Sequence, residues 1–214
     1  MIQADYISHM GSDMTICDAA RVSFNKEASN YTDEQNHKLI AYLAKHQHTT
    51  PFTHPQITLR ETVPIFVARQ RFKHVVGFSY NEVSRRYVSD APEFFTPKAW
   101  REKPQGSVKQ GSGGEHGKSN YYTHAYHLLL QDALALYDDM IKTGVAPELA
   151  RMVLPQSMMT SYYVTGSLAA FARMYNQRSD SHAQKEVQLL ATEVDAIIAP
   201  LFPVAWAALT KGSY

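Results

Sequence analysis

Apolar and polar positions recur with a helical period over residues 32–45. Thr32-Asp-Glu-Gln35 has the form of a capping box, in which hydroxyl and amide satisfy the first free N–H groups of a helix. Leu39, Ile40 and Leu43 give that helix an apolar stripe, and Pro51 predicts fraying over residues 46–50. The period then falls to two. Residues 56–63 read as a strand with Ile57, Leu59 and Val63 on one face. Pro64 suits the first position of a helix over residues 65–74, with Ile65, Ala68 and Phe72 inward and Gln70, Lys73 and His74 on a polar face. A long helix is predicted over 121–142 with Gly144 at its end, and a short one from Pro147 that stops before Pro155. A strand follows at 157–165, then a helix at 168–175. Asp180 or Ser181 is expected to cap a last long helix striped by Val187, Leu190, Val194 and Ile197. Strands and helices do not alternate regularly. The expectation is an α+β fold with a mixed sheet flanked by long helices, one domain over residues 1–214.

Residues 103–120, rich in Gly, Ser, Gln and Lys, read as a loop or insertion. Net charge is +1 over 214 residues, so no global field selects nucleic acid or membrane. Charge is instead local: Arg69, Arg71, Lys73, Arg85 and Arg86 are opposed only by Glu82. The single cysteine, Cys17, excludes an internal disulfide and a cysteine zinc cluster. With no basic-then-apolar leader and no run of about 20 apolar residues, a soluble cytoplasmic protein is expected (the host's cytoplasm if the source is viral).

Four groups of residues are candidates for chemistry. Residues 111–119, GSGGEHGKS, imitate a phosphate loop, but the required first glycine falls on Ser112 and no strand precedes them, so a flexible loop is the better reading. His46, His48 and His54 have the ligand chemistry of a zinc site without a fixed i, i+4 spacing; no metal is expected, and contact with a ligand is favoured. Residues 66–87 bring Gln70, Lys73, His74, Asn81, Glu82, Ser84 and Arg86 across a bend at Gly77, which suits an anionic, planar, hydrogen-bonding ligand or an ordinary solvated basic face. Arg151, among apolar neighbours, and Arg178 each need a partner: a ligand anion, or a carboxylate such as Glu148 or Asp180.

Six segments, AARVSF at 19–24, KHQHTTPFTH at 45–54, PIFVARQ at 64–70, NEVSRRY at 81–87, ARMVLP at 150–155 and RSDSHAQ at 178–184, occur in one order. Together they resemble the flavin-dependent thymidylate synthases over most of the chain. That family is marked by Arg-His-Arg, seven residues, then Ser. Anchored on Asn81, Glu82 and Ser84, the triplet here is Lys73-His74-Val75, with one extra residue before Ser84. Lys73 keeps the charge without the planar fork, and Val75 loses it. The family's glutamate after Pro-Phe is Thr53 here. Arg71 and Arg173 are the nearby cations that could restore charge.

The resemblance implies the family's fold and a homotetramer whose active sites combine residues of several subunits. It implies FAD as cofactor, with NADPH and 5,10-methylenetetrahydrofolate as co-substrates, and reductive methylation of dUMP to dTMP. By the same resemblance Ser23, His48, Thr50, Lys73, His74, Val75, Glu82, Ser167, Ala169 and Arg173 line FAD. Gln70, Lys73, Glu82, Val83, Ser84, Arg85, Arg86 and Arg151 hold dUMP, and Arg178 faces the uracil carbonyls as the catalytic residue. Cys17 lies outside every cluster, so a thiolate route is not expected. Three other readings stay open. A single-stranded nucleic-acid module would stack bases on Phe72, Phe78, Tyr80 and Tyr87. A zinc hydrolase would use the three histidines. A non-catalytic relative would bind dUMP and hold flavin poorly.

Overall fold

The computed structural model describes residues 1–88, 90–104 and 111–210. Four strands make one sheet in the order β1-β2-β4-β3: β1 Gln3–Met10, β2 Gln56–Pro64, β3 Phe78–Glu82 and β4 Met159–Ser167. The α+β class is as expected, whereas the sheet is antiparallel at every pairing rather than mixed. The central pair runs unbroken from Gln56 opposite Ser167 to Pro64 opposite Met159. Ile57, Leu59 and Val63 are buried on one face of β2, as the alternation predicts, and Glu61 is buried with them. The opposite face is polar: Thr58 and Thr165 hydroxyls meet at 2.9 Å, and Arg60 Nε donates to Ser161 Oγ at 2.8 Å.

Helices α1 (Asp13–Arg21), α2 (Asp33–Lys45), α3 (Ile65–Arg71), α6 (Leu168–Arg178), α7 (Lys185–Leu201) and α8 (Pro203–Thr210) share one apolar core with the sheet. The capping box of α2 forms as read: Thr32 accepts from Gln35 N, and Gln35 accepts from Thr32 N. Helices α4 (Ser119–Lys142) and α5 (Pro147–Ala150) lie close to the expected spans, and Gly144 takes φ +91° just beyond α4. Residues 105–110 of the expected 103–120 loop lie outside the described residues; Glu115 in the loop pairs with Arg101, just before it, as an isolated bridge.

Three boundaries differ from expectation. Pro64 closes β2 with ψ 151° and stands as the N-cap of α3, because its extended conformation completes the pairing with β4. Helix α3 stops at Arg71, so Lys73 and His74 lie in a turn toward Gly77, whose φ of +78° is left-handed. Helix α7 starts at Lys185, not beside Asp180 or Ser181, since Asp180 accepts from His182 N at 2.8 Å in a turn of its own. Strand β1, helix α1, strand β3 and helix α8 have no counterpart in the pattern reading. Helix α8 is tied to α1 by Asp13, whose carboxylate accepts from Val204 N and Ala205 N, both at 3.0 Å.

Gly166 faces Phe78 across the β3–β4 pair, and an added Cβ would stand 2.4 Å from Phe78 Cδ1 and 2.9 Å from the Gly77 carbonyl oxygen. Gly166→Ala is expected to lower unfolding free energy by about 1–3 kcal/mol, the usual cost of overpacking. Chemical denaturation checks it; an unchanged midpoint would contradict the packing.

Candidate active site

Two recesses and a hydrogen-bonded centre hold most of the residues named from the sequence. The larger recess, about 920 Å³, is lined by Glu82, Val83, Ser84, Arg85, Arg86 and Arg151, all expected at the substrate. Arg60 on β2 also lines it and was not foreseen. Its only sequence signal is a cation on the outward face of a strand. Arg60 donates to Ser161, Arg86 Nε to Ser84 Oγ at 3.1 Å, Arg151 Nε to the Glu148 carbonyl at 3.3 Å, and Arg85 to the carbonyls of Asp90 and Ala91. None of the four forms an ion pair among the described residues, although Glu82, Asp90 and Glu93 share the recess. Glu82 accepts from Thr160 Oγ1 at 2.7 Å. Arg151 is exposed rather than held among apolar neighbours, because a 3-10 turn after α5 swings it outward. Arg86 also lies over the Tyr87 ring, and cations with neutral partners of these kinds suit an anion.

The second recess, about 580 Å³, gathers His48, Ser167, Ala169 and Arg173 with Thr49, Thr53, Val76 and Gly77. Ser167 is the N-cap of α6 and accepts from Ala170 N at 3.2 Å, so the positive end of that helix borders the recess. Ala169, Ala170 and Ala172 leave room, and Arg173 adds a cation. Small side chains, a helix N-terminus and a guanidinium fit the pyrophosphate-bearing part of a dinucleotide such as FAD. Ser23, Thr50, Lys73 and Val75 are exposed and line neither recess.

Outside the lining of both recesses, Arg178 Nε donates to His74 Nε2 at 2.9 Å, and Arg178 Nη2 reaches the Gln70 carbonyl at 3.4 Å. Burial, then the cations Arg178, Arg71 and Arg173, push His74 down from 6.5 to about 4. The imidazole is therefore neutral at physiological pH, with an unprotonated Nε2 for Arg178. No ion pair involves Arg178 among the described residues, and the expected alternative partner Asp180 is taken by His182. Gln70 Nε2 donates to Gln184 Oε1 at 2.6 Å, which joins this centre to the start of α7.

Arg71 does not belong to the surface cations. It is 1% exposed and paired with Glu61, itself 0% exposed, through Nε at 3.0 Å and Nη2 at 3.1 Å. Of the two cations considered as replacements for charge lost at Val75, only Arg173 faces a recess. The stacking platform is also absent in the form expected. Phe72, Phe78 and Tyr80 pack against the core, leaving Tyr87 as the exposed ring of the four. His46 and His48 ring centroids lie 6.4 Å apart, and no group of three metal-type ligands forms among the described residues. No sheet strand leads into residues 111–119 among the described residues. Cys17 is buried in the core, and burial pushes its thiol up, away from thiolate chemistry.

The sequence model of the Thy1 family, described as thymidylate synthase complementing protein, matches residues 5–204. The chain is 36% identical over 208 residues to the flavin-dependent thymidylate synthase of Thermosipho melanesiensis, covering 96% of this chain and 89% of that one. It belongs to the flavin-dependent thymidylate synthase family. The family member of Thermus thermophilus is also 36% identical, covering 96% of this chain and 74% of its own. Among solved structures, the UMP/dUMP methylase PolB of Streptomyces cacaoi bound with 5-Br dUMP superposes with a TM-score of 0.87 at 29% identity, covering 97% of this chain and 94% of that one.

Because His74 titrates lower in the folded chain than in the unfolded one, the unfolded state takes up the proton first as pH falls. The contribution of His74 to stability is thus complete above pH 6.5 and is lost as pH falls toward about 4. Histidine ring NMR is expected to show His74 neutral at pH 6. A midpoint near the ordinary value would contradict the buried, cation-flanked geometry.

Proposed function

We propose that this chain is an FAD-dependent thymidylate synthase, converting dUMP, 5,10-methylenetetrahydrofolate, NADPH and a proton to dTMP, tetrahydrofolate and NADP⁺. The observation that carries the reading is Arg178, a half-buried cation resting on a neutral imidazole and a carbonyl, without an ion pair among the described residues. Its charge is left for the substrate. Facing the uracil carbonyls, it stabilises negative charge at N3 and so raises electron density at C5, which forms the new bond to the methylene carbon. Ser84, Arg85, Arg86 and Arg151 bind the nucleotide phosphate, with Glu82 and Val83 beside it, and Gln70 and Lys73 complete the substrate contacts. His48, His74, Glu82, Ser167, Ala169 and Arg173 hold FAD, with Ser23, Thr50, Lys73 and Val75 at its edges. Arg173 supplies the cation that Val75 lacks. When bound there and reduced, FAD would supply hydride chemistry for completing the methyl group. Cys17 takes no part.

Gln70, Lys73 and Arg178 do not line the recess that holds the phosphate-binding arginines. A second copy of the chain brings the two sets together in this reading, within the homotetramer typical of the family. Helix α4 offers a face for assembly. Tyr122, Leu129 and Leu136 follow one another along one face of the helix and are 40%, 57% and 50% exposed. The double variant Leu129→Glu/Leu136→Glu is expected to elute as smaller species in light-scattering chromatography. An unchanged tetramer would remove this face from the interface.

Arg178→Ala is expected to retain bound flavin while dTMP formation falls by about 100-fold or more, the effect of losing a group that stabilises developing charge. Product analysis with dUMP, and with UMP alongside, checks it. Wild-type turnover in that variant would take Arg178 out of the mechanism. Methylation of UMP alone would move the substrate assignment.

A further inference from the structure

Glu61 occupies a position on β2 that the alternation of Ile57, Leu59 and Val63 reserves for an apolar side chain. A buried ion pair adds little stability over an apolar pair of similar volume. Departures from local rules of this kind concentrate where function requires them. Arg71, fixed on the Glu61 carboxylate, extends Nη1 to the Tyr80 hydroxyl at 2.6 Å. Tyr80 has one proton to donate, and the nearer acceptor is the main-chain carbonyl of His74 at 2.7 Å, against 3.2 Å to that of Arg71. The ring of His74 in turn receives Arg178. The carboxylate locked in the sheet is therefore connected to the Arg178 guanidinium by hydrogen bonds on either side of His74, through that residue's own main chain and ring.

We propose that Tyr80, anchored by the Glu61–Arg71 pair, is a positioning residue for the methylation reaction. It fixes the turn after α3 so that His74 presents Nε2 to Arg178 and aims that cation at the pyrimidine. The proposal rests on the role assigned to Arg178 above. Tyr80 touches neither substrate nor cofactor in it. A purely structural network would use its members alike, and Tyr162 supplies the comparison. Its hydroxyl belongs to the same buried network and donates to Glu61 Oε2 at 2.6 Å, on the far side of the ion pair from the His74 main chain. Loss of that hydroxyl weakens the anchor while leaving the Tyr80–His74 bond in place.

The experiment compares Tyr80→Phe with Tyr162→Phe in the flavin-loaded enzyme. Tyr80→Phe is expected to lower kcat about tenfold or more, as small misplacements of catalytic groups do, with KM for dUMP and flavin content little changed. Tyr162→Phe is expected to lower Tm and keep turnover. Nitrogen-15 NMR of His74 is expected to show the Nδ1–H tautomer in the parent and in Tyr162→Phe, and a mixture in Tyr80→Phe. If Tyr80→Phe folds poorly, Glu61→Leu/Arg71→Met keeps Tyr80, replaces the anchor with apolar volume, and is expected to show the same fall in kcat. Unchanged kcat and tautomer in Tyr80→Phe would overturn the proposal, as would activity lost in step with Tm in both tyrosine variants. If the parent itself forms no dTMP, the functional reading fails. The His74 tautomer then tests the positioning role by itself, and an unchanged tautomer in Tyr80→Phe overturns it.

Discussion

The Glu61–Arg71 ion pair joins the central strand of the sheet to the helix that leads into the candidate site. Removing both charges from water carries a penalty of several kcal/mol per ion, and it is offset only when the remaining hydrogen-bonding groups are satisfied. Here they are. Glu61 receives Arg71 Nε and Nη2 and the Tyr162 hydroxyl, while Arg71 places Nη1 on Tyr80 and lies 4.3 Å above the Phe78 ring. Burial pushes Tyr80 up to about 12, so it keeps the proton that it donates. Strands β2, β3 and β4 and the turn after α3 thereby converge on one carboxylate. His74, whose ring receives Arg178, is tied to that arrangement through its main-chain carbonyl.

A second constraint is the distribution of unpaired cations. Two cations in this fold are matched with buried carboxylates, Arg71 with Glu61 and Arg101 with Glu186 at 2.8 Å, while the buried Arg21 is held by the Asn36 side-chain oxygen and the Tyr31 ring. Arg60, Arg85, Arg86 and Arg151 around the larger recess, and Arg178 at the centre, contact neutral acceptors. Arg85, Arg86, Arg151 and Arg178 are the cations to which the proposed function assigns an anionic ligand, and none of them forms an ion pair among the described residues. Concentrating all of these cations in one pocket would raise their mutual repulsion without a ligand present, and in this fold Arg178 stands apart from the four around the larger recess.

Elements with a strong period were legible in the sequence. Helix α2 with its capping box, the alternation of β2 and the long helix α4 follow from periodicity and caps alone. Strand β1 was not, because it is an edge strand with mostly exposed side chains and a register shift between Tyr6 and Ser8, which removes the alternation. Strand β3 is five residues long and gains its order from β4 rather than from its own pattern. Helix α8 depends on Asp13, distant in sequence, for its first two N–H bonds. For the candidate site, six of the residues named from the motifs line the larger recess and four the smaller, while Ser23, Thr50, Lys73 and Val75 line neither. The sequence reading misassigned Arg71, since a one-residue difference in where α3 faces decides between surface and core. The sign was present in Glu61, an acid on an apolar face, which a stricter count of the period would have marked as needing a buried cation.

In the proposed reaction, reduced flavin and dUMP meet at one centre. The direct measurement is the visible spectrum of the FAD-loaded protein under anaerobic conditions, with NADPH added in the absence and presence of dUMP and the folate omitted. Loss of the flavin band near ~450 nm, faster with dUMP bound, is the predicted result. A protein that takes up no FAD, or whose flavin is reduced without regard to dUMP, would contradict it.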